Sequence, residues 1–232
     1  MNDKKVHEVD LNILKYIIFL AMLYITFDLA GNIIIYRFIK ISLFILPGGI
    51  FVLPVLQCII DVTTEIFGYK TSRSLIWIGV FCDYIFIFFI LLMLQTPTTI
   101  SIAQKNEYEH ILNPLLHAMF GSTVALLCGR FLNVYCMSKW KIFFKGKYYI
   151  VRSIGSSLLG EMVVLIIGLL CIYGGVASFI TIFKLFYSDY LFRLIFTVLL
   201  VIPTSFFVYY LKRKTGLDVY DYGIKYNIFK LN

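Results

Sequence analysis

The sequence predicts an all-α polytopic membrane protein with six transmembrane helices, and three observations carry that reading. The 232 residues are 60% hydrophobic and only 15% charged, with a mean hydropathy of +0.88; a soluble domain is nearer half apolar and a quarter charged. The apolar stretches are not amphipathic: LNILKYIIFLAMLYITFDLA, SLIWIGVFCDYIFIFFILLML and YLFRLIFTVLLVIPTSFFVYYL are apolar on every face for roughly 20 residues, the length that crosses a bilayer. The basic residues are also shared unevenly between the segments that join these stretches.

Six spans are placed at about 11–31, 43–66, 74–95, 111–136, 150–174 and 186–211, in one membrane domain covering residues 1–232 with a C-terminal tail at 212–232. The first follows a mixed-charge segment (Asp3, Lys4, Lys5, Glu8, Asp10) and no small-residue cleavage site comes after it, so it reads as a retained span rather than a secretory signal. The second contains PGGIFVLP. Pro47, Gly48, Gly49 and Pro54 either break a helix at membrane depth against a cavity or form a loop before a shorter helix. That span ends in DVTTEIFGYK, where Asp61 and Glu65 sit four apart and so share a helical face. The third span holds Asp83, for which no local partner is evident, and the fourth holds Arg130 and Asn133. In the fifth, Ser153, Ser156, Ser157, Gly160, Val164 and Gly168 recur at three to four residues, a stripe that lets helices approach closely. Helix packing is the expected role of its serines. Glu161 lies at the edge of this stripe, where it cannot reach water and needs a donor. The sixth span holds Asp189 and Arg193.

Fifteen Lys and Arg fall on the side of the chain termini and four on the other, leaving Arg130 and Arg193 within spans. The positive-inside rule then puts both termini in the cytoplasm of a cell inner (plasma) membrane protein. The net charge of +8 is explained by this topology and by attraction to anionic lipid, with no nucleic-acid partner. Ionisable residues within a span cost about 2.5–3.5 kcal/mol at a helix centre, so they usually face the bundle interior or water. Asp61, Arg130 and Glu161 are expected to line a cavity; Asp28, Asp189 and Glu65 lie either there or at an interface.

No catalytic or metal centre is expected. The five cysteines form no C-x-x-C pair, the three histidines have no partner at metal-ligand spacing, and neither a phosphate-binding loop nor a hydrolase motif is present. No cofactor is implied. Buried acids, arginines and amides (Asn32, Gln57, Asn133) in a helical bundle are the makeup of a small-solute carrier. Two other classes remain: a membrane-embedded enzyme using the Asp61/Glu65 pair, and a non-transporting membrane subunit.

Four stretches carry a family resemblance. LPVLQCIIDVTTEIFGYKTSRSLIWIGVF, GRFLNVYCMSKWK, VRSIGSSLLGE and LLVIPTSFFVYYLKRKTGLDVYDYGIKYNIF occur in the order found in the queuosine precursor transporter family, also called the vitamin uptake transporter family, which the chain resembles from about Asn32 to Phe229. The resemblance implies six helices arranged similarly to the substrate-binding subunits of energy-coupling-factor vitamin transporters. It also implies uptake of a 7-deazaguanine (the 7-cyano or 7-aminomethyl compound, or queuine) that feeds queuosine in transfer RNA. The chain departs from the family pattern twice, with Arg130 where Glu or Gln is usual and Val164 where Asp is usual. Arg130 either adds positive charge to the cavity or pairs with Glu161 or Asp83.

Such a solute presents two N–H donors beside a carbonyl, which a carboxylate can take as a pair. The candidate substrate-binding residues are Glu161, Glu65, Asp61, Asn133, Arg130 and Arg193. Glu161 or Glu65 would take the donors, and Asn133 or an arginine would donate to the carbonyl. Asp61 and Glu65 are alternatively a proton-coupled pair, or anchors for Lys70 and Arg73. The expected partners are the small-molecule substrate and the lipid bilayer. A homo-oligomer or an energising partner is left open.

Overall fold

A computed structural model describes residues 2–34, 37–41, 44–97, 101–173 and 178–229. The chain opens with helix α1 (Asn2–Ile34), followed by an antiparallel hairpin of β1 (Phe38–Ile41) and β2 (Phe44–Pro47), whose register pairs Ile39 with Leu46. A 3₁₀ turn (Gly48–Phe51) leads into α2 (Leu53–Gln95), and three long helices follow: α3 (Ile102–Phe143), α4 (Tyr149–Tyr173) and α5 (Phe179–Thr215).

The second expected span therefore starts later than its apolar run. PGGIFVLP is a strand end and a 3₁₀ turn outside the helix, and Pro54 sits in the first helical turn, where its missing N–H costs nothing.

The expected spans at 43–66 and 74–95 meet in α2, which is broken at Gly68 (φ 82°, ψ 177°). That backbone conformation suits only glycine. Thr64 Oγ1 lies 2.9 Å from Ser72 Oγ, although eight residues of straight helix would separate them by about 12 Å. Gly68 is thus a sharp turn between two arms, 53–67 and 69–95. The end of the molecule at this turn is covered by residues 216–229, which fold back from the αL cap at Gly216 (φ 68°). Asp221 accepts from the Tyr69 backbone N–H at 2.8 Å and from Ser138 Oγ at 2.6 Å, and Val219 N–H donates to Ile66 O at 3.2 Å. Arg73 Nη1 donates to Asn227 O at 2.7 Å and Trp77 Nε1 to Ile228 O at 2.9 Å. The C-terminal tail thus packs against the helices as far as Ile228.

Among the described residues, four stretches are long and apolar enough to cross a membrane: Ile13–Ile34, Gly48–Gln95, Tyr149–Cys171 and Phe179–Thr215. The protein is a multi-pass, all-α helical membrane bundle. Large apolar side chains such as Met22, Phe81, Phe88, Leu199 and Phe206 are exposed on the bundle surface, where lipid takes the place of water. Leu20, Tyr24, Leu56, Ile60, Ile66, Ile76, Val134 and Leu211 fill the interior.

Candidate functional site

The two carboxylates four apart on α2 have different surroundings. Glu65, nearest the Gly68 turn, is fully buried and held by cations from three helices. Arg152 of α4 grips it with two prongs, Nη1–Oε2 at 2.7 Å and Nη2–Oε1 at 3.1 Å. Lys212 of α5 donates to Oε1 at 2.6 Å, and Lys141 of α3 lies 3.9 Å from the same oxygen while also donating to the Glu65 carbonyl. Asp218 of the C-terminal segment closes the cluster with Lys141 at 2.6 Å and Lys212 at 2.8 Å. Partial burial opposes ionisation of Asp218, but the hydrogen bonds from Lys141 and Lys212 prevail and hold its carboxyl below the usual aspartate range. Glu65 therefore ties the helices together. It does not anchor Lys70 or Arg73, and Arg73 instead reaches Asn227.

Asp61, one turn deeper, has no cation. It is 1% exposed. Asn133 Nδ2 of α3 donates to Oδ1 at 2.7 Å; Ser157 Oγ of α4 donates to Oδ2 at 3.2 Å, and Ser153 Oγ donates to the same oxygen. The serines expected to serve packing are hydrogen-bond donors to this acid. Around it, three buried polar atoms make no close hydrogen bond among the described residues: Gln57 Nε2, Asn133 Oδ1 and Tyr149 Oη. The Gln57 side chain is directed at Asp61, and the Tyr149 hydroxyl lies beside Ser153. A buried polar group left unpaired costs roughly 1–3 kcal/mol, so these atoms favour a polar partner. Asn133 spends one amide N–H on Asp61, and its carbonyl is an acceptor without a close donor among the described residues.

α3 and α4 cross closely at this level. A Cβ on Gly129 would lie 2.6 Å from Gly160 O, and one on Gly160 would lie 3.1 Å from Asn133 Cβ. The small-residue stripe thus brings the backbones together at Gly160 but not at Gly168, which has open space beside it. Val164, where the family pattern has an acid, packs at the Gly129 crossing.

Two arginine pairs flank the cluster. Arg193 of α5 bonds Glu161 Oε2 at 2.5 Å and takes both oxygens of Asp189 at 3.0 Å, leaving Glu161 Oε1 without a partner among the described residues. Arg130 of α3 takes both oxygens of Asp28 on α1, at 2.7 and 3.1 Å, and donates to Tyr24 Oη at 2.7 Å. Arg130 therefore pairs with neither Glu161 nor Asp83, and its charge is neutralised by Asp28. Asp83 accepts from Asn32 Nδ2 at 3.1 Å.

Of the six expected site residues, Asp61 and Asn133 are hydrogen-bonded to each other; Glu161, four residues beyond Ser157 on α4, is paired with Arg193, Glu65 is committed to ion pairs, and Arg130 lies on the α1 side. Sequence reasoning missed Gln57 as a site residue, although it stands four before Asp61 on the same face. It also counted Arg152 and Lys212 only among the fifteen basic residues that set the topology. Their signal was their place in the first turn of α4 and the last turn of α5, beside the Gly68 turn. Among the described residues no three His, Cys, Asp or Glu are grouped to hold a metal ion.

No curated protein and no solved structure matches the chain. Residues 47–208 match the family described as "Putative vitamin uptake transporter". The match spans most of the chain, including all the acids, amides and serines around Asp61, and the protein belongs to that family of small-molecule uptake transporters, a transport role rather than an enzymatic one.

Proposed function

We propose that the protein imports a 7-deazaguanine precursor of queuosine across the cell inner membrane, through a site between α2, α3 and α4 centred on Asp61, Asn133 and Glu161. The observation that carries this reading is a buried donor, Gln57 Nε2, and a buried acceptor, Asn133 Oδ1, both beside the Asp61 carboxylate and both without a close hydrogen bond among the described residues. A lactam ring edge complements that pair. Its carbonyl accepts from Gln57 and its ring N–H donates to Asn133, while the exocyclic amine is directed at the free Oε1 of Glu161. Uptake by the family supplies the reaction class, and the resemblance of the four sequence stretches to queuosine precursor transporters supports the choice of substrate.

In this reading the chain crosses the membrane six times, the two arms of α2 counting separately and α3 counting as a span, in the arrangement of energy-coupling-factor substrate-binding subunits. Both termini are cytoplasmic, and the Gly68 end with its cover of residues 216–229 faces the cytoplasm. The test is expression in cells unable to make queuosine, supplied with each precursor in turn. Transfer-RNA queuosine should return only when this chain is present. If it returns with none of the precursors while the protein is in the membrane, the substrate assignment is wrong.

A further inference from the structure

Asp83 differs from the other span acids. Glu65 has three cations, Asp61 three hydrogen-bond donors, Asp28 the fork of Arg130, and Glu161 and Asp189 share Arg193. Asp83 has one neutral donor, Asn32, on Oδ1, and among the described residues its Oδ2 has none. It lies fifteen residues beyond Gly68, which in a straight helix is about 22 Å from the turn, far from the Glu65 cluster.

Oδ2 has somewhere to turn. Asn32, Asp83, Ser122, Thr123 and Arg130 line a small cavity of about 10 Å³, roughly the space of one water molecule. The charged and titratable groups that face Asp83 are Tyr24 and Asp28 from α1, Arg130 from α3, and Cys82 beside it on α2. Both Nη atoms of Arg130 are already bonded to Asp28. Two carboxylates thus share one guanidinium, which leaves one negative charge uncompensated in a low-dielectric interior, where it is costly. A metal ion is a poor remedy, since the cavity wall includes that guanidinium. A proton on Oδ2 removes the charge, and the hydroxyls of Ser122 and Thr123 give a single trapped water partners along the entry path.

We propose that Asp83 is the proton-carrying group of this transporter: Oδ2 takes a proton through the Asn32–Ser122–Thr123 cavity and releases it as the helices rearrange, so that uptake is driven by the proton gradient. The proposal rests on the reading of the protein as an importer, but its first test does not depend on the substrate. In purified protein in lipid, infrared difference spectra recorded across a pH titration should show the carbonyl stretch of a protonated carboxylic acid that disappears in Asp83→Asn. In Asp83→Glu that band should persist at a shifted position, which keeps the assignment testable if the asparagine variant folds poorly. A band absent in the wild type, or unchanged in both variants, overturns the proposal. In proteoliposomes, an inward proton gradient should drive accumulation of 7-cyano-7-deazaguanine, with acidification of the lumen on adding it, and Asp83→Asn should lose both. Accumulation that follows a sodium gradient and ignores pH overturns the coupling. If 7-deazaguanines are not carried at all, the infrared result still decides the proton site, and only the substrate assignment falls.

Discussion

Arg152 and Glu65 form a two-pronged ion pair with both side chains at 0% exposure, joining the first turn of α4 to the residue three before the Gly68 turn. Lys212 and Lys141 approach the same carboxylate from α5 and α3, so Glu65 is the common counter-ion of three helices. Removing one partner of a buried pair costs about 3–5 kcal/mol, because the other charge is left without compensation. Glu65→Gln should therefore lower the thermal unfolding midpoint in detergent severely or abolish monodisperse protein. Arg152→Gln should be milder, since Lys212 still faces Glu65. Equal effects would show that the carboxylate is not the hub.

The cover over this cluster should loosen in acid. Asp218 is held below the ordinary aspartate range, which is about 3.9. A depressed pKa contributes stability above the unfolded value and loses it as pH falls through the folded one. Amides in residues 216–229 should stay protected from hydrogen exchange near neutrality and lose protection only below about pH 4. Asp218→Asn should show at neutral pH the exchange that the wild type shows in acid. Protection that is unchanged in the variant would mean that the cover is held by its other contacts, those of Val219, Asp221, Asn227 and Ile228.

Glu161→Gln should abolish uptake while the protein is still made and inserted. Arg193 keeps both bonds to Asp189 in the variant, so no unpaired guanidinium results. The amide nitrogen that replaces one oxygen would face the donors of the ligand. Normal uptake by Glu161→Gln, with loss in Asp61→Asn, would move the ligand's amine from α4 to α2.

The orientation has a direct reporter. A fluorescent protein that matures only in the cytoplasm, fused after Asn232, should be bright, in line with fifteen basic residues on one side against four on the other. A dark, inserted fusion would invert the site relative to the cell.

The membrane bundle was legible because lipid-facing surfaces must be apolar on every side, and runs such as SLIWIGVFCDYIFIFFILLML leave no other reading. The ion-pair partners were not. Arg152 and Lys212 lie in ordinary positive-inside positions, and nothing local distinguishes a lysine in water from one folded onto a carboxylate of another helix. The same holds for Arg130, whose partner Asp28 is 102 residues away. Ser153 and Ser157 fit a packing stripe and also bond Asp61; small size and a hydroxyl serve both ends. The β1–β2 hairpin is hidden because its two four-residue strands, FIKI and FILP, blend into the apolar run before α2.

Equilibrium binding of 7-cyano-7-deazaguanine to the purified protein, by calorimetry in parallel with Asn133→Ala and Gln57→Ala, tests the site directly. The wild type should bind and each variant should lose roughly 1–3 kcal/mol of binding, the scale of one buried polar group left without its partner; Gln57→Ala, which keeps the Asn133 bond to Asp61, is the variant expected to retain the wild-type unfolding midpoint. Wild-type binding that neither substitution weakens would contradict the assignment of the unpartnered Gln57 and Asn133 atoms to the ligand.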